Sequence, residues 1–462
     1  MKTVWFLAVL TFAFTAQATN FEVATNGSDS NPGTHELPFL TIQHAADVAQ
    51  PGDVITVHEG VYRERIDPPR GGTSDANRIT YQAAPGEKVI ITGSEPMTGW
   101  VKATNDTWEV TIPNSYFGKF NPYSDVIHGD WCTNPHGYHT GAVYLDGDWL
   151  TETAHFDDVL KPAARTPLWF GEVSDDTTSI WAQFKGIDPN EQSVEINVRQ
   201  TVFTPSKTGI NYLTVRGFEL RNAAAPWAPP TAAQIGIISA YWCKGWIIES
   251  NTICYSPCCG VALGKYGDDW DNRAQSAAGY VGTLTRALTN GWDKATVGSH
   301  IVRNNEISHC EQTGIVGSLG CSFSTISGNT IHDIHIRSLY TGAEMAGIKF
   351  HGAIDVTISH NHIYHCGSVA GIWLDWMAQG CHVIGNLMHD NSQDIFFEMQ
   401  HGPIFVANNL LLSHKAFTMN SQGIAFVHNL IAGQIVSDHG DMRVTPFQLA
   451  HSTALDGMYP AH

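Results

Sequence analysis

Positive charge is scarce in this chain of 462 residues. Lysine and arginine together number 25, against 44 aspartates and glutamates, so the formal net charge is −19, and no run of basic residues occurs. Nucleic acids and anionic membranes bind through clustered lysines and arginines. The composition therefore argues against both partners. It also mildly disfavours polyanionic substrates such as pectate or alginate, so a neutral substrate fits better.

Long hydrophobic runs are also lacking, apart from one at the start. The first 20 residues, MKTVWFLAVLTFAFTAQATN, contain a lysine, an apolar run from Val4 to about Phe14 and small residues up to Ala18. This order is typical of a signal peptide, and the run is shorter than the roughly 20 residues that a membrane span needs. The sequence predicts a signal peptide over residues 1–18 and a soluble protein that is secreted or periplasmic.

The nine cysteines do not have the spacing of a zinc site. An exported protein can form disulfides, but the odd number leaves at least one thiol without an intramolecular partner. Cys310 and Cys366 each lie five residues after the asparagine of an Asn-X-Ile triplet. We interpret both as small buried residues at equivalent positions in the core.

Other candidate ligands for a metal are equally weak. His360, His362 and His365 are expected at a turn, without a carboxylate or cysteine partner at ligand spacing. The acidic stretch YGDDWDNRAQ (266–275) lacks the distal glutamate and the glycine of an EF-hand loop, and we interpret it as a polar loop that caps a helix. The sequence predicts neither a metal nor a cofactor.

A repeat dominates the second half of the chain. A triplet of asparagine, any residue and an apolar residue recurs after short β-rich stretches, at successive spacings of 54, 24, 32, 25, 23 and 20 residues. Asparagine suits such turns because its side chain bonds locally and it tolerates left-handed backbone. A period of this length built from strands alone predicts a parallel β-helix. The repeated asparagines are Asn251, Asn305, Asn329, Asn361, Asn386, Asn409 and Asn429.

The rhythm divides the chain into parts. Residues 19–95 are expected to form an N-terminal cap, with a short amphipathic helix, and the first coils. Residues 96–204 have alternating strands, many aromatics and an Asp146-Gly147 hairpin turn, which predicts an inserted antiparallel β-sandwich. Residues 205–462 form the β-helix that carries the catalytic residues, and 279–292 reads as a helix inserted in one turn. The fold class is therefore all-β.

Two carboxylates interrupt apolar strands in this repeat. Asp375 lies in GIWLDWM (371–377) and Glu398 in DIFFEMQHG (394–402), and each comes 11 residues before a repeated asparagine, Asn386 and Asn409. The two acids, 23 residues apart, therefore occupy one position in adjacent coils. Neighbouring strands are about 4.7–4.9 Å apart, and alternation points both side chains outward.

This separation predicts a reaction. Retaining glycosidases place two carboxyls about 5–5.5 Å apart, one a nucleophile and the other an acid/base, whereas inverting enzymes need about 6.5–9.5 Å. Repulsion between the acids should also raise the pKa of one of them. The alternative is a solvated acidic face, which the bulky apolar neighbours disfavour.

The preceding coil continues the column. Its sequence GIKFH aligns with GIWLD and places Lys349 and His351 beside Asp375. Lys349 could keep the nucleophile ionised, and His351 could bond a sugar hydroxyl or the second oxygen of the nucleophile. The alternative is that both are surface residues near the site by coincidence.

At these residues the chain resembles glycoside hydrolase family 120, the β-xylosidases. The resemblance rests on AGIWLDWMAQG and GNLMHDNSQDIFFEMQHGPIFVANNLLLS, and also on NPYSDVIHGDW, HTGAVYLDGDWL, GAEMAGIKFHGAID and RVTPFQLAHST. It implies a right-handed parallel β-helix with an inserted β-sandwich, no cofactor, and a retaining exo-β-xylosidase that acts on xylobiose and short xylo-oligosaccharides in hemicellulose degradation.

The resemblance also implies roles for single residues. Asp375 would be the nucleophile and Glu398 the acid/base, while Trp131, Glu344 and Arg443 would help to hold the xylose. The chain departs from the family at its end, because it stops at His462 without a recognisable cap for the last coil. Either this end is trimmed naturally or the sequence is a fragment.

Two other functions are weighed against this one. Many parallel β-helices are polysaccharide lyases or epimerases, but those enzymes need a basic residue and cations for an acidic sugar, and this face offers mainly acids. A non-catalytic glycan-binding β-helix would use Trp131, Trp373 and Trp376 as stacking platforms. The oligomeric state is left open.

Overall fold

The structure is a computed structural model that describes residues 18–273, 275–398, 403–421 and 423–437. In this part of the chain three long parallel sheets run side by side along one axis, with 11, 10 and 8 strands. Each coil contributes one strand to each sheet over most of the length. The predicted all-β class, a parallel β-helix with a separate antiparallel region, is confirmed.

The three sheets have the following strands in spatial order. The first sheet contains Asn20–Val23, Val54–Val57, Ile79–Ala83, Leu213–Arg216, Ile247–Glu249, Ile301–Arg303, Thr325–Ser327, Thr357–Ser359, Cys381–Ile384, Ile404–Ala407 and Ile424–Val427. The second contains Gly60–Tyr62, Val89–Thr92, Glu219–Arg221, Thr252–Ser256, Glu306–Cys310, Thr330–Ile334, His362–Tyr364, Leu387–His389, Leu410–Leu411 and Leu430–Ile431. The third contains Ile238–Ser239, Cys259–Ala262, Thr313–Ser318, Ala346–His351, Ala370–Leu374, Gln393–Glu398, Lys415–Asn420 and Gln434–Ser437.

The core lies inside the coils and consists of columns of like residues. In the second sheet the aliphatic residue of each triplet pairs with its equivalent in the next coil, as Ile307 does with Ile331 and Ile331 with Ile363. All three are fully buried. Alternation along the strands sends one set of side chains into this core and the other set outward. In Thr313–Ser318 and Ala346–His351 of the third sheet the outward set is buried as well. Cys310 and Cys366 are buried as predicted, and all nine cysteines, which lie among the described residues, are free thiols.

The repeated asparagines do more than close turns. Asn361 donates from Nδ2 to Asn386 Oδ1 at 3.0 Å, and its own Oδ1 accepts from Asn329 Nδ2 at 2.9 Å. The same contact joins every consecutive pair from Asn251 to Asn429. A buried ladder of amides therefore runs along the solenoid, and we call it the asparagine ladder.

The prediction that the repeated asparagines bond locally and adopt left-handed backbone themselves is wrong. The left-handed residue at each corner is the one before the repeated asparagine, for example His360, with φ 56°, before Asn361. Because each amide bonds to the neighbouring coil, the asparagine keeps ordinary backbone, and its predecessor makes the turn. Glycine, asparagine, serine or histidine fills that preceding position.

The N-terminal coil begins with the strand Asn20–Val23, which pairs with Val54–Val57 at the end of the first sheet. The predicted short helix spans Ile42–Val48, and the Thr41 side chain caps it by accepting from the His44 N–H. Its buried residues pack against these two strands, so the helix covers the end of the solenoid.

The insertion is built from two sheets with their own core. One contains Asp148–Trp149, Val143–Leu145, Val194–Asn197 and Ser94–Pro96; the other contains Thr151–Glu152, Leu168–Val173, Thr177–Gln183, Thr107–Pro113 and Val101–Thr104. The neighbours are antiparallel except Thr151–Glu152 with Leu168–Val173. Asp146 and Gly147 both have positive φ in the predicted hairpin turn. The short helix Phe156–Val159 and the 3-10 turns Asn114–Phe117 and Pro189–Glu191 lie in the connections.

The inserted helix of the β-helix spans Ala277–Thr289. Its N-cap is Ser276, whose Oγ accepts from the Gly279 N–H at 3.0 Å, so the preceding acidic loop does not cap it as predicted. Asp268 and Asp271 instead bond the buried ammonium of Lys265 at 3.1 and 3.0 Å. Among the residues described, no helix has the length and apolar character to span a membrane.

Candidate active site

Three consecutive strands of the third sheet position the predicted site. Phe350 pairs with Leu374, and Leu374 pairs with Phe397. The next residues in these three coils are His351, Asp375 and Glu398, which therefore follow in one column. The Asp375 N–H donates to the Phe350 carbonyl at 2.8 Å and holds this register just beyond the end of its strand.

Asp375 is almost buried, with 8% of its surface exposed. Its Oδ2 lies 2.5 Å from Lys349 Nζ and 3.3 Å from His351 Nε2, and its Oδ1 accepts from the Trp376 N–H at 2.6 Å. Burial alone would raise the pKa of this carboxyl. The charges of His351 and Lys349 and the two hydrogen bonds outweigh burial and lower the pKa below its ordinary value. The arrangement therefore keeps Asp375 ionised.

Lys349 is one of the two groups whose charge lowers this pKa. Its side chain is fully buried, and its Nζ also lies 3.4 Å from Glu344 Oε2 and 3.2 Å from the centre of the Trp373 ring. A buried ammonium is tolerated only with such compensation. The predicted position beside Asp375 is found, but Lys349 is enclosed by two carboxylates and an indole rather than lying on an open surface.

Glu344 and His351 complete the cluster. His351 Nε2 contacts Glu344 Oε2 at 2.7 Å, and both side chains are nearly buried. Glu344, predicted to hold sugar, thus lies within bonding distance of the two groups that surround Asp375. Oxygen and nitrogen atoms of Glu344, His351 and Asp375 are close enough together to hold a metal ion. Lys349 already brings a positive charge to both carboxylates, so the electrostatics of this cluster do not require a metal.

Glu398 ends its strand on the next coil. It is half-buried, less enclosed than Asp375, and pairs with Asn420 of the following coil. Adjacent strands of a sheet lie about 4.7–4.9 Å apart, so the backbones of the two acids are separated by one strand spacing. Trp373 and Phe396 come from these two adjacent coils and lie on the same outer face as the acids. Their ring centres are 4.8 Å apart.

The inserted helix adds an aromatic residue that the sequence interpretation missed. Tyr280 is buried, and its ring lies 5.1 Å from that of His351 and stacks on Trp376 at 5.6 Å. The sequence feature that could have indicated Tyr280 is its position, as an aromatic residue, on the predicted inserted helix. Trp376 is 5% exposed and its face is covered by Tyr280, so it does not serve as the stacking platform considered above.

The insertion brings Trp131 to the same region. The strand Cys132–Thr133 pairs with Thr341–Gly342, and the Trp131 carbonyl accepts from the Ala343 N–H at 3.1 Å. Trp131 is therefore next to the segment that leads into Glu344. Arg443, the remaining predicted substrate residue, lies outside the described residues.

The histidines away from this site were partly misjudged. His362 lies in the strand His362–Tyr364 rather than at a turn, and its Nε2 is 2.8 Å from His389 Nε2. His365 contacts the carboxylate of Asp333. Pairing between coils brings these groups together over separations of 27 and 32 residues, which inspection of local spacing could not detect.

Asp375, whose pKa is lowered, and Glu398 one coil away thus lie on one outer face of the β-helix. Comparison with known proteins assigns the chain to a family. The family model described as the glycoside hydrolase 120 insertion domain matches residues 97–196, and that of the right-handed β-helix region matches 236–431. A third, of a protein of unknown function, matches 25–68.

Solved structures agree. The structure of XylC in complex with xylose has a TM-score of 0.88 and 44% sequence identity, covering 91% of this chain and 70% of that one. A structure described as a glycoside hydrolase has a TM-score of 0.53 at 12% identity, covering 91% and 96%, which reflects the fold alone. The chain belongs to glycoside hydrolase family 120 and is a glycoside hydrolase with a right-handed β-helix.

Curated relatives match over short stretches. The uncharacterized protein YwoF of Bacillus subtilis is 42% identical over 71 residues, which is 15% of each chain. Pectate lyase PEL9 of Emericella nidulans is 36% identical over 96 residues, 20% of this chain and 23% of that one. This chain thus spans less than a quarter of either curated relative, and neither match carries an activity.

Proposed function

We propose that this protein is a retaining exo-β-xylosidase that releases xylose from xylobiose and short xylo-oligosaccharides, and so takes part in hemicellulose degradation. The observation that carries the proposal is the pair Asp375 and Glu398 at one position of adjacent coils, in a chain 44% identical to XylC, whose structure contains xylose. The net charge of −19 is consistent with a neutral substrate.

In the first step Asp375 attacks the anomeric carbon while the bond from that carbon to the leaving oxygen breaks. Lys349 and His351 suit this role because they keep Asp375 charged before the attack. Glu398 gives its proton to the leaving oxygen.

In the second step Glu398, now ionised, takes a proton from water. The water oxygen bonds to the anomeric carbon as the bond to Asp375 breaks, so xylose leaves with its original configuration. Trp131, Glu344, His351, Lys349 and Arg443 are proposed to hold the sugar. For Glu344 and His351, the contact with Asp375 and Lys349 implies that holding the sugar and orienting the nucleophile are coupled.

A lyase or epimerase is less well supported. Such an enzyme needs a base that can reach the proton beside a uronate carboxyl, together with cations for that carboxyl. Lys349 has 0% of its side chain exposed and is paired with Asp375 and Glu344, so it is unsuited to that role.

The proposed export to the periplasm or medium rests on residues 1–18.

Mutants of the two acids test the proposal. Glu398→Ala should lose most activity on xylobiose, whose leaving alcohol needs a proton, but keep more of the first step with an activated aryl β-xyloside. Azide should restore turnover and give the β-xylosyl azide, because the anion enters the space left by Glu398. Asp375→Ala should not recover the retaining route, and azide should give only the α-product.

The matched control is Asp390→Ala, which removes an exposed carboxylate from the coil that carries Glu398 and should leave both substrates hydrolysed normally. Proton NMR of the first product formed by the wild type should show β-xylose. Initial α-xylose would refute retention, and an equal azide response of both acid variants would refute the assigned roles. Unsaturated products from pectate or alginate, without xylosidase activity, would favour the lyase.

A further inference from the structure

A second cluster of ionisable side chains lies far from the catalytic coils, on the N-terminal cap. It consists of Glu22, His35 and His58, with Glu87 beside it, and we call it the cap cluster. One carboxylate oxygen of Glu22 and one ring nitrogen of each histidine all lie within 4.8 Å of one another. None of these residues takes part in the proposed catalysis.

The fold itself brings the cluster together. Glu22 pairs with Thr56 in adjacent strands, and His58, two residues beyond Thr56, therefore projects on the same side of the sheet. The Glu22 N–H donates to the Gly33 carbonyl at 2.9 Å, and its carbonyl accepts from the Phe39 N–H at 2.9 Å. The loop that carries His35 is thus bonded to both sides of Glu22.

The distances are close to those of a metal site. His58 Nε2 lies 3.0 Å from Glu22 Oε2, and the rings of His35 and His58 are 5.8 Å apart at 60°. Ligands about 2.0–2.2 Å from a tetrahedral zinc ion are about 3.3 Å from each other. Small rotations of the exposed His35 side chain would bring the third ligand to that separation.

Glu87 supplies the support that a metal-bound histidine usually has. Its carboxylate lies 3.2 Å from His58 Nδ1 and is held in place by the Glu59 N–H at 2.6 Å. A histidine that donates one ring N–H to a carboxylate presents its other nitrogen, here Nε2, to a metal with fixed tautomer and orientation. Glu22 is held in turn by the Asn20 side chain.

The cluster opens on a cleft of about 530 Å³ lined by His35, His58, Glu59 and Glu87, among others. Water can therefore complete the coordination. Two imidazole nitrogens with one carboxylate suit Zn²⁺ and the neighbouring transition ions, whereas Ca²⁺ and Mg²⁺ prefer oxygen ligands alone.

We propose that the cap cluster binds one zinc-class divalent ion through Glu22, His35 and His58, and that this ion ties the loop carrying His35 to the first strands of the solenoid. The simpler alternative is that His58 is an imidazolium bridging Glu22 and Glu87, with no metal. The two differ at His35, which the metal site requires and the bridge does not.

The test uses the full chain after treatment with EDTA and dialysis. Titration calorimetry with ZnCl₂ should show a high-affinity site of unit stoichiometry, and CoCl₂ should give the visible absorption of a bound cobalt ion. His35→Ala and Glu22→Gln should each weaken binding at least tenfold, whereas His128→Ala, which removes an exposed histidine of the insertion, should not. Zinc should raise the unfolding temperature of the wild type but not of His35→Ala, and CaCl₂ should raise neither.

Wild-type affinity retained in His35→Ala would overturn the proposal, since a metal bound at the catalytic cluster or at the pair His362 and His389 would behave in that way. Absence of both the calorimetric and the cobalt signals in the wild type would leave the imidazolium bridge as the explanation and would also overturn it. Circular dichroism identifies any variant that fails to fold, and His35→Gln, which keeps a polar side chain at this exposed position, then replaces His35→Ala.

Discussion

Removal of one amide from the asparagine ladder should destabilise the β-helix far more than a surface change does. In Asn361→Ala the lost side chain had four hydrogen bonds, which join it to the backbone of Ile326, the side chain of Asn386, and the backbone and side chain of Asn329. Asn361 is 1% exposed, so water does not readily replace them.

The expected magnitude follows from which groups lose a partner. Asn386 Oδ1 still accepts from the Asn361 N–H, and Asn329 Nδ2 still donates to the Val302 carbonyl. The Asn329 N–H loses its acceptor, whereas the Ile326 carbonyl lies in the parallel ladder with the neighbouring strand and keeps a partner there. A buried group left unsatisfied costs about 1–3 kcal/mol, and we therefore expect the free energy of unfolding to fall by about that amount.

Urea unfolding, followed by tryptophan fluorescence and far-ultraviolet circular dichroism, measures this change. The matched control is Ser359→Ala, two residues earlier in the same coil, which should change the free energy of unfolding by no more than about 0.5 kcal/mol. A loss below about 1 kcal/mol for Asn361→Ala, or equal losses in the two variants, would show that the ladder is not a source of stability.

Two further predictions concern charge. Lys349→Met removes the cation beside Asp375, while burial still raises the pKa of that carboxyl. The acidic limb of the pH profile of kcat/KM for an aryl β-xyloside should therefore move to higher pH. An acidic limb that does not move would contradict the assigned role of Lys349. If the signal peptide is cut after Ala18, the new amine of Thr19 lies 2.8 Å from Asp53 Oδ1. The exported protein should then have the mass of a chain that begins at Thr19. Asp53→Asn should lower the unfolding temperature more in the cleaved chain than in the uncleaved chain, and an equal decrease in both would argue against that ion pair.

Much of the fold could be predicted because a few residues in each coil identify the repeat. Each coil needs a corner and an inward aliphatic column, and the triplets beginning at Asn305, Asn329 and Asn361 mark both. The amide contacts between coils were not foreseen, because they join residues that are neighbours only after the coils stack. The helix cap at Ser276 was missed for a different reason, since the more conspicuous aspartates nearby bond to Lys265 instead.

The site was predictable where it depends on strand register and less so elsewhere. The position of Asp375 relative to Glu398 and Lys349 follows from counting residues between equivalent corners. Tyr280 comes from an insertion with no repeat to count, and the depth at which Lys349 is enclosed depends on packing around it. Trp131 entered only through family resemblance, because its place is set by pairing between the insertion and the solenoid.

The regular spacing of the coils fixes the distances between the residues of one column. Glu398 pairs with Asn420 of the next coil, so the column continues past the proposed acid in equal steps of about 4.8 Å. Retaining enzymes need their carboxyls about 5–5.5 Å apart and inverting enzymes about 6.5–9.5 Å. One step of this column, about 4.8 Å, is close to the first separation, and two steps to position 420, about 9.6 Å, are close to the upper limit of the second. Under the roles proposed for Asp375 and Glu398, the coil that carries the second carboxylate therefore decides between retention and inversion.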